Sequence, residues 1–599
     1  ISGGYLEPRS IYSSSSYDKI GNFGNESRTI HLGLDFWLSP GTKVNSMFDG
    51  EVVTSINDDG DKEYGGLLIL KHKVEDFEFY TLYGHNKVRS VLKNKIGTKI
   101  KKGDEIAEIA NYPENGNWAP HLHFQIMLST LNYKIDFPGV CYYNQIDVWK
   151  GLCPNPNLLF KSVDLNYTND KSDDELINYR KKHLGKSLKL HYEEPINIVR
   201  GEGVYLISKN GRKYLDTINN VAHVGHENES VVIEGQNQMS ILNTNSRYLH
   251  KSINELAEEI IQTLPEKLNV IHFVNSGSEA NELAVRMMKS HTGSNDIIVS
   301  ENGYHGNTNI CVDISSYKFD GKGGKGAPEN THVIPMPTKF NGKHKGEEAC
   351  EGYINEIKNS IKNLKSKNRD LGGFIIEPII SCGGQVELPD GFLKTAYDLI
   401  RENGGICISD EVQVGCGRLG ESFWGFELHD VIPDIITIGK PLGNGHPIGA
   451  VVCTSEIAES FANGMEFFNT FGGNPVSCSI ATQVLKVVKN ENLQKNAKTI
   501  GNYFKNELKN LSDKYDIIGD VRGQGLFLGI EFVDHKMNPL FRETKYIVNR
   551  LKDFGILASL DGPNNNVIKI KPPLIFNKDN CDTFIFYLNK ILEEDFLNK

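Results

Sequence analysis

Gly405-Ile-Cys-Ile-Ser-Asp410 decides how the larger part of this chain folds. A short apolar run, opened by glycine and closed by a carboxylate, reads as a strand buried on both faces. Gly373-Phe-Ile-Ile-Glu377 upstream and Asp434-Ile-Ile-Thr-Ile-Gly-Lys440 downstream repeat the pattern. Helical sequence separates such runs, as in Asn281-Glu-Leu-Ala-Val-Arg-Met-Met288 and across 347–365. Strands alternating with long helices imply an α/β domain around a mostly parallel sheet. No internal repeat is visible.

The strand ends carry the chemistry. Asp410 closes one strand and Lys440 another, and Ile271-His-Phe-Val-Asn-Ser-Gly-Ser-Glu-Ala-Asn281 runs from apolar strand through a small-residue turn into a helix start. Backbone N–H groups of Gly277 and Ser278 at that helix N-terminus suit a phosphate. A carboxylate beside a ring nitrogen, a lysine for an aldehyde and an amide cradle are the three groups that pyridoxal 5′-phosphate needs. Adjacent strand ends of a parallel sheet are where such groups meet. Gly321-Lys-Gly-Gly-Lys-Gly326 fits GxGxxG in form, but it follows Lys318-Phe-Asp320 rather than an apolar strand and reads as a loop.

The first 150 or so residues have another rhythm. Gly50-Glu-Val-Val-Thr-Ser55, Gly66-Leu-Leu-Ile-Leu-Lys71 and Phe77-Glu-Phe-Tyr-Thr-Leu-Tyr83 are strands between Gly, Asn and Asp turns, which implies a compact all-β domain. It contains His31-Leu-Gly-Leu-Asp35, Tyr83-Gly-His85 and His121-Leu-His123. In an extended segment residues two or four apart share a face, so His121 faces with His123 and His31 with Asp35. Two imidazoles and a carboxylate make a zinc set with one position open for water, which the metal ionises near neutral pH.

At 599 residues the chain is too long for one core. A net charge of −11 argues against a nucleic-acid or anionic-membrane partner. No apolar run is long enough to span a bilayer. The ten cysteines include no CxxC pair, and several sit in apolar runs, which points to reduced core residues and a cytoplasmic protein. Ile1-Ser-Gly-Gly-Tyr5 has neither an initiator methionine nor a signal-peptide pattern, so the chain reads as a processed product or a piece of something longer. The polar stretch 163–174 reads as a linker between a zinc domain (1–162) and an α/β domain (175–599).

The N-terminal residues resemble the lysostaphin-like zinc endopeptidases, whose signature is an early HxxxD, a central YxH and a late HLHF. Gly103-Asp-Glu-Ile-Ala-Glu-Ile109 ahead of Pro120-His-Leu-His-Phe124 is similar to that family too. The resemblance implies Zn²⁺ on His31, Asp35 and His123, with His85 and His121 as catalytic partners. The C-terminal residues resemble the class III, fold-type I aminotransferases, whose large, mostly parallel sheet carries a smaller C-terminal subdomain. That resemblance implies Lys440 as the lysine that carries pyridoxal 5′-phosphate and Asp410 on the ring nitrogen. It further implies Val412 and Tyr304 on the two ring faces, Gln413 near the ring hydroxyl, and Gly277, Ser278 and the partner subunit's Thr470 on the phosphate. A site completed across a two-fold interface implies a homodimer.

Within that family, Ile218-Asn-Asn-Val-Ala-His-Val-Gly-His226, Ser381-Cys-Gly-Gly-Gln385, Gly439-Lys-Pro-Leu-Gly-Asn-Gly-His-Pro447, Phe468-Asn-Thr-Phe-Gly-Gly-Asn-Pro475 and Lys569-Ile-Lys-Pro-Pro573 resemble the ethanolamine-phosphate and hydroxylysine-phosphate phospho-lyases. The implied reaction removes phosphate and ammonia from an O-phosphorylated amino alcohol or hydroxy-amino acid; the alternative is an ω-amine or alanine–glyoxylate aminotransferase. A third reading is a non-enzymatic assembly or regulatory protein with relic sites. Many transaminases of the class pair a glutamate with the arginine of a Val-Arg-Gly-x-Gly-Leu motif. Here Cys382 stands at the glutamate's place, so Arg522 is expected to lack that acid and to hold an anionic substrate group.

Overall fold

The computed structural model describes residues 2–597 except 10–11, 13–16, 22–23, 132, 134–136, 163–164, 166–171 and 210. Most of the expected linker therefore lies outside the described residues. The chain divides into two compact units, one of residues 1–200 with 207–213 and one of 201–206 with 214–599.

The first unit is built on a seven-stranded antiparallel sheet. Its strands relevant here are β1 (Ser2–Gly3), β3 (Leu34–Trp37), β4 (Gly50–Asp58), β5 (Gly65–Val74), β6 (Phe77–Asn86), β7 (Lys99–Ile100) and β8 (His121–Met127), in the order β1-β3-β8-β6-β5-β4-β7. A two-residue strand, β2 (Ile30–His31), lies outside this sheet and pairs with Val140–Cys141. Both faces of the long strands are apolar: Leu68 and Leu70 join one buried cluster with Phe124 and Ile126, while Leu67 and Ile69 join another with Leu82 and Met127. That is the period-two pattern of a sheet covered on both sides.

The second unit centres on a seven-stranded sheet of β9 (Val270–Val274), β10 (Asp296–Ser300), β11 (Thr331–Ile334), β12 (Leu371–Ile376), β13 (Ile406–Asp410), β14 (Ile435–Ile438) and β15 (Gly449–Cys453). Their order is β9-β15-β14-β13-β12-β10-β11, and β15 pairs antiparallel with both neighbours while the other pairs are parallel. Successive residues alternate between two cores: Phe374 and Ile376 join one, Ile375 and Ile408 the other. Helix α1 (Gly277–Thr292) follows β9, opened by Ser276, whose hydroxyl accepts from the Glu279 N–H at 3.1 Å. A smaller antiparallel sheet, β16 (Ile518–Gln524), β17 (Phe527–Phe532), β18 (Ser559–Asp561) and β19 (Val567–Ile570), forms towards the C-terminus. The large mostly parallel sheet and small C-terminal sheet are those of the expected fold-type I architecture. Among the described residues no helix is long and apolar enough to cross a membrane, and all ten cysteines are free.

Candidate active sites

Antiparallel register assembles the first site. His123 of β8 lies opposite Asp35 of β3 and opposite Gly84 of β6, and directly paired residues project from the same face. His31 Nε2, Asp35 Oδ1 and His123 Nδ1 converge: 2.9 Å between the two nitrogens, and 3.2 and 3.0 Å from them to the oxygen. All three side chains are buried. Gly33 makes room for them, since a Cβ there would lie 2.8 Å from the His123 ring.

The nitrogens facing away are occupied. His31 Nδ1 donates to the Gly4 carbonyl at 3.0 Å, and His123 Nε2 donates to Gln125 Oε1 at 3.0 Å. Each bond selects the tautomer whose other nitrogen offers a lone pair to the shared point. Burial pushes the His31 imidazole down to about 4, so it is neutral at neutral pH. Burial also opposes ionisation of Asp35, but the adjoining His31 and His123 hold its carboxyl well below the usual range. Two imidazoles and a carboxylate converging in a buried pocket fit Zn²⁺.

His85 and His121 stand alongside, with ring centroids 4.2 Å apart. Strict alternation along β6 would send His85 to the face opposite Gly84's. Instead its backbone is left-handed, φ 65°, and the imidazole comes within 6.2 Å of the His123 ring. His85 Nδ1 donates to Asn115 O at 3.0 Å and His121 Nδ1 to Ala119 O at 2.7 Å, leaving each Nε2 as a base. Burial lowers both pKa values, His85 well below its ordinary value. These residues line a cavity of about 660 Å³, with Tyr12, Tyr17 and Trp118 among its walls.

The second site lies at the ends of β9, β13 and β14. A Cβ on Gly277 would meet Val412 Cγ1 at 2.7 Å, and one on Gly439 would lie 3.1 Å from Gly277 Cα, so the three strand ends touch. They surround a cavity of about 300 Å³ lined by Gly277, Ser278, Tyr304, Asp410, Val412, Gln413 and Lys440, seven of the expected residues. Thr470, expected to act in a partner's site, is exposed and does not line it. Burial lowers the pKa of Lys440 against the pull of the Asp410 charge, which raises the share of free amine. A glycine-lined cradle, a buried carboxylate and a desolvated lysine around one cavity fit pyridoxal 5′-phosphate.

Several residues of this site escaped sequence reasoning. Asp410 Oδ2 is held by His305 Nδ1 and Asn281 Nδ2, both at 2.8 Å, and its Oδ1 accepts from the Val412 N–H at 3.1 Å. His305 follows Tyr304 directly in the sequence, and Asn281 closes the quoted 271–281 run. Gln413 Oε1 accepts from Asn220 Nδ2 at 2.6 Å and from Lys571 Nζ at 3.4 Å. Lys571 is 4% exposed; burial, and then the Lys569 charge, push its ammonium down to about 7, and the charge of Lys440 also bears on it. Lys569 pairs with Asp561 at 3.5 Å, and its charge in turn lowers the pKa of Lys440. The charges of these two lysines thus bear on the reactive one, although neither lines the cavity itself.

Cys382 leaves Arg522 without the gating glutamate, as expected, but two other acids hold it, so the expected role on an anionic substrate group is not what its contacts favour. Its Nη1 pairs with Glu531 at 2.6 Å and Asp520 at 2.8 Å, its Nε donates to Gly384 O at 2.8 Å, and it does not line this cavity. The partner comes from register: Arg522 of β16 lies opposite Gly529 of β17, which places Glu531 two residues along on the same face.

The class-III aminotransferase family model matches residues 189–592, and the peptidase family M23 model matches residues 29–135. The chain is similar to the alanine–glyoxylate aminotransferase 2-like protein of Drosophila melanogaster, 44% identical over 431 residues that cover 70% of this chain and 87% of the relative. It is similar to ethanolamine-phosphate phospho-lyase homolog 1 of Caenorhabditis elegans, 37% identical over 440 residues, 70% of this chain and 94% of that one. Among solved structures it resembles a phospholyase from Arthrobacter in complex with phosphoethanolamine: TM-score 0.67, 35% identity, covering 70% of this chain and 99% of that one.

Proposed function

The chain belongs to the class-III aminotransferase family, and from that premise we propose that its larger unit is a pyridoxal-phosphate-dependent phospho-lyase. Its substrate is an O-phosphorylated amino alcohol or hydroxy-amino acid, with the phosphate one carbon from the amine-bearing carbon. One water enters; an aldehyde, ammonia and inorganic phosphate leave. The ion-paired state of Arg522, together with the similarity to a phosphoethanolamine-bound phospholyase, carries this reading. A transaminase must hold the carboxylate of a keto acid, yet Arg522 is already tied to Glu531 and Asp520. A phospho-lyase must hold a dianion close to the carbon that loses a proton, and the charges of Lys571 and Lys569, which bear on Lys440, are the cations nearest to that task.

When bound, pyridoxal phosphate supplies an electron sink that acidifies the Cα–H of the attached amine. Lys440, kept partly neutral by burial, takes that proton at Nζ. Asp410, fixed by His305 and Asn281, holds a proton on the ring nitrogen. Lys571 and Lys569 neutralise the departing phosphate. With a good leaving group on the neighbouring carbon, elimination outruns the reprotonation that transamination requires. The similarity to the phosphoethanolamine-bound phospholyase supports this assignment. The similarity to alanine–glyoxylate aminotransferases favours a second reading, transfer of an amino group to a keto acid.

Incubating the holoenzyme with phosphoethanolamine, and with other phosphorylated amino alcohols, in the absence of keto acid separates the two. Inorganic phosphate should appear in step with ammonia. Amino transfer to pyruvate without phosphate release would leave the transaminase reading.

The same family membership supports a homodimer. Large apolar side chains stand exposed near residue 470 in the sequence, Met465 (72%) and Phe471 (69%), and elsewhere Ile241 (77%) and Leu249 (105%). A second copy covering them would bring Thr470 to its partner's phosphate cradle. For the M23 peptidase domain, we assign zinc to His31, Asp35 and His123, with His85 and His121 as the bases that orient the attacking water on a peptide carbonyl.

A further inference from the structure

We propose that Arg9 is a positioning residue of the zinc centre, an inference that rests on the zinc assignment above. It lies outside the M23 match, which begins at residue 29. Asp35 turns Oδ1 towards the two histidines. Its other oxygen, Oδ2, accepts a short charge-assisted hydrogen bond from Arg9 Nη1. The guanidinium is held in turn: Nε by Glu7 Oε2 at 2.8 Å, and Nη1 also by the Tyr12 hydroxyl at 3.3 Å. Glu7 Oε2 accepts the Gly4 N–H at 3.0 Å, and the Gly4 carbonyl fixes His31. Two metal ligands are thus joined through one hydrogen-bonded loop of Gly4, Glu7 and Arg9.

Gly3 completes the device. It pairs directly opposite Asp35, and a Cβ at that position would lie 2.0 Å from Arg9 Nη2. The slot above Asp35 is therefore reserved for the guanidinium, which is only 14% exposed. A carboxylate with one oxygen committed to an arginine presents the other to a metal as a single donor. Freed of that bond it can rotate or chelate through both oxygens, and the open coordination position is compromised.

Zinc affinity of the full chain, by competition with a chromophoric chelator, and the visible d–d bands of the cobalt(II)-substituted protein test this. Arg9→Ala and Gly3→Val should each weaken zinc by about 10- to 100-fold while still reaching one equivalent at saturation. Their cobalt bands should lose intensity as Asp35 supplies a second oxygen, and Arg9→Lys should recover part of both signals. Unchanged affinity and cobalt spectrum in Arg9→Ala would overturn the proposal, as would failure of both variants to reach one equivalent, which would make the segment a fold element only. A wild-type chain that takes up no zinc would remove the zinc assignment and this inference together.

Discussion

Lys571 shows how much a single side chain can decide. It was quoted in a motif but given no role, because a lysine in Lys-Ile-Lys-Pro-Pro reads as surface until the fold buries it. The same holds for His305 and Asn281, whose part in fixing Asp410 depends on β9 and β13 meeting. By contrast Lys440, Asp410 and Gly277 were legible because each sits just beyond an apolar run. Lys571 gives the proposed reaction an expected pH dependence. Its ammonium, pushed down to about 7, carries charge below that value and loses it above. Capture of a phosphate dianion should therefore weaken as pH rises through about 7. In kcat/KM profiles for the phosphorylated amine that limb should be present in the wild type and missing in Lys571→Gln. The substitution should lower kcat/KM tenfold or more, from the roughly 1.5–3 kcal/mol of a hydrogen bond to a charged group.

Among the elements, alternation along strands anticipated that His121 and His123 share a face. It could not place His85, whose left-handed backbone departs from the period that makes strands readable. Nor could it find Glu531, since an acid was sought only at the Cys382 position and the true partner depends on which residue of β17 lies beside Arg522. Glycines at strand crossings are a related blind spot. Gly84 faces His123, and a Cβ there would come 2.4 Å from Tyr64 Cδ1. Tyr64 cannot easily yield, because its hydroxyl donates to Phe137 O at 3.0 Å and its ring packs against His85 and His123. Gly84→Ala should destabilise the first unit by about 1–3 kcal/mol, the range of core overpacking. Calorimetry would detect it as a lowered midpoint in the transition that zinc addition shifts.

For the molecule as a whole, two unrelated candidate sites share one chain, each built inside its own compact unit. The change from short turn-separated strands to strand–helix alternation was enough to read two fold classes from the sequence, because the two patterns imply different sheets. Ligand loss should accordingly be separable. His123→Ala should abolish zinc binding and leave the visible absorption of bound pyridoxal phosphate intact; Lys440→Ala should do the reverse. Metal analysis and absorption spectra of the two purified variants check this, and loss of both ligands in either variant would contradict it. The short strand β1 adds a practical consequence. A recombinant fragment cut where homology to other M23 peptidases starts would lack Gly4, Glu7 and Arg9, so His31 would be released to spin about its χ angles and Asp35 to swing. Such a fragment would fold much of the sheet yet hold zinc poorly, because the 28 residues ahead of the match include the ones that strap His31 and Asp35 in place.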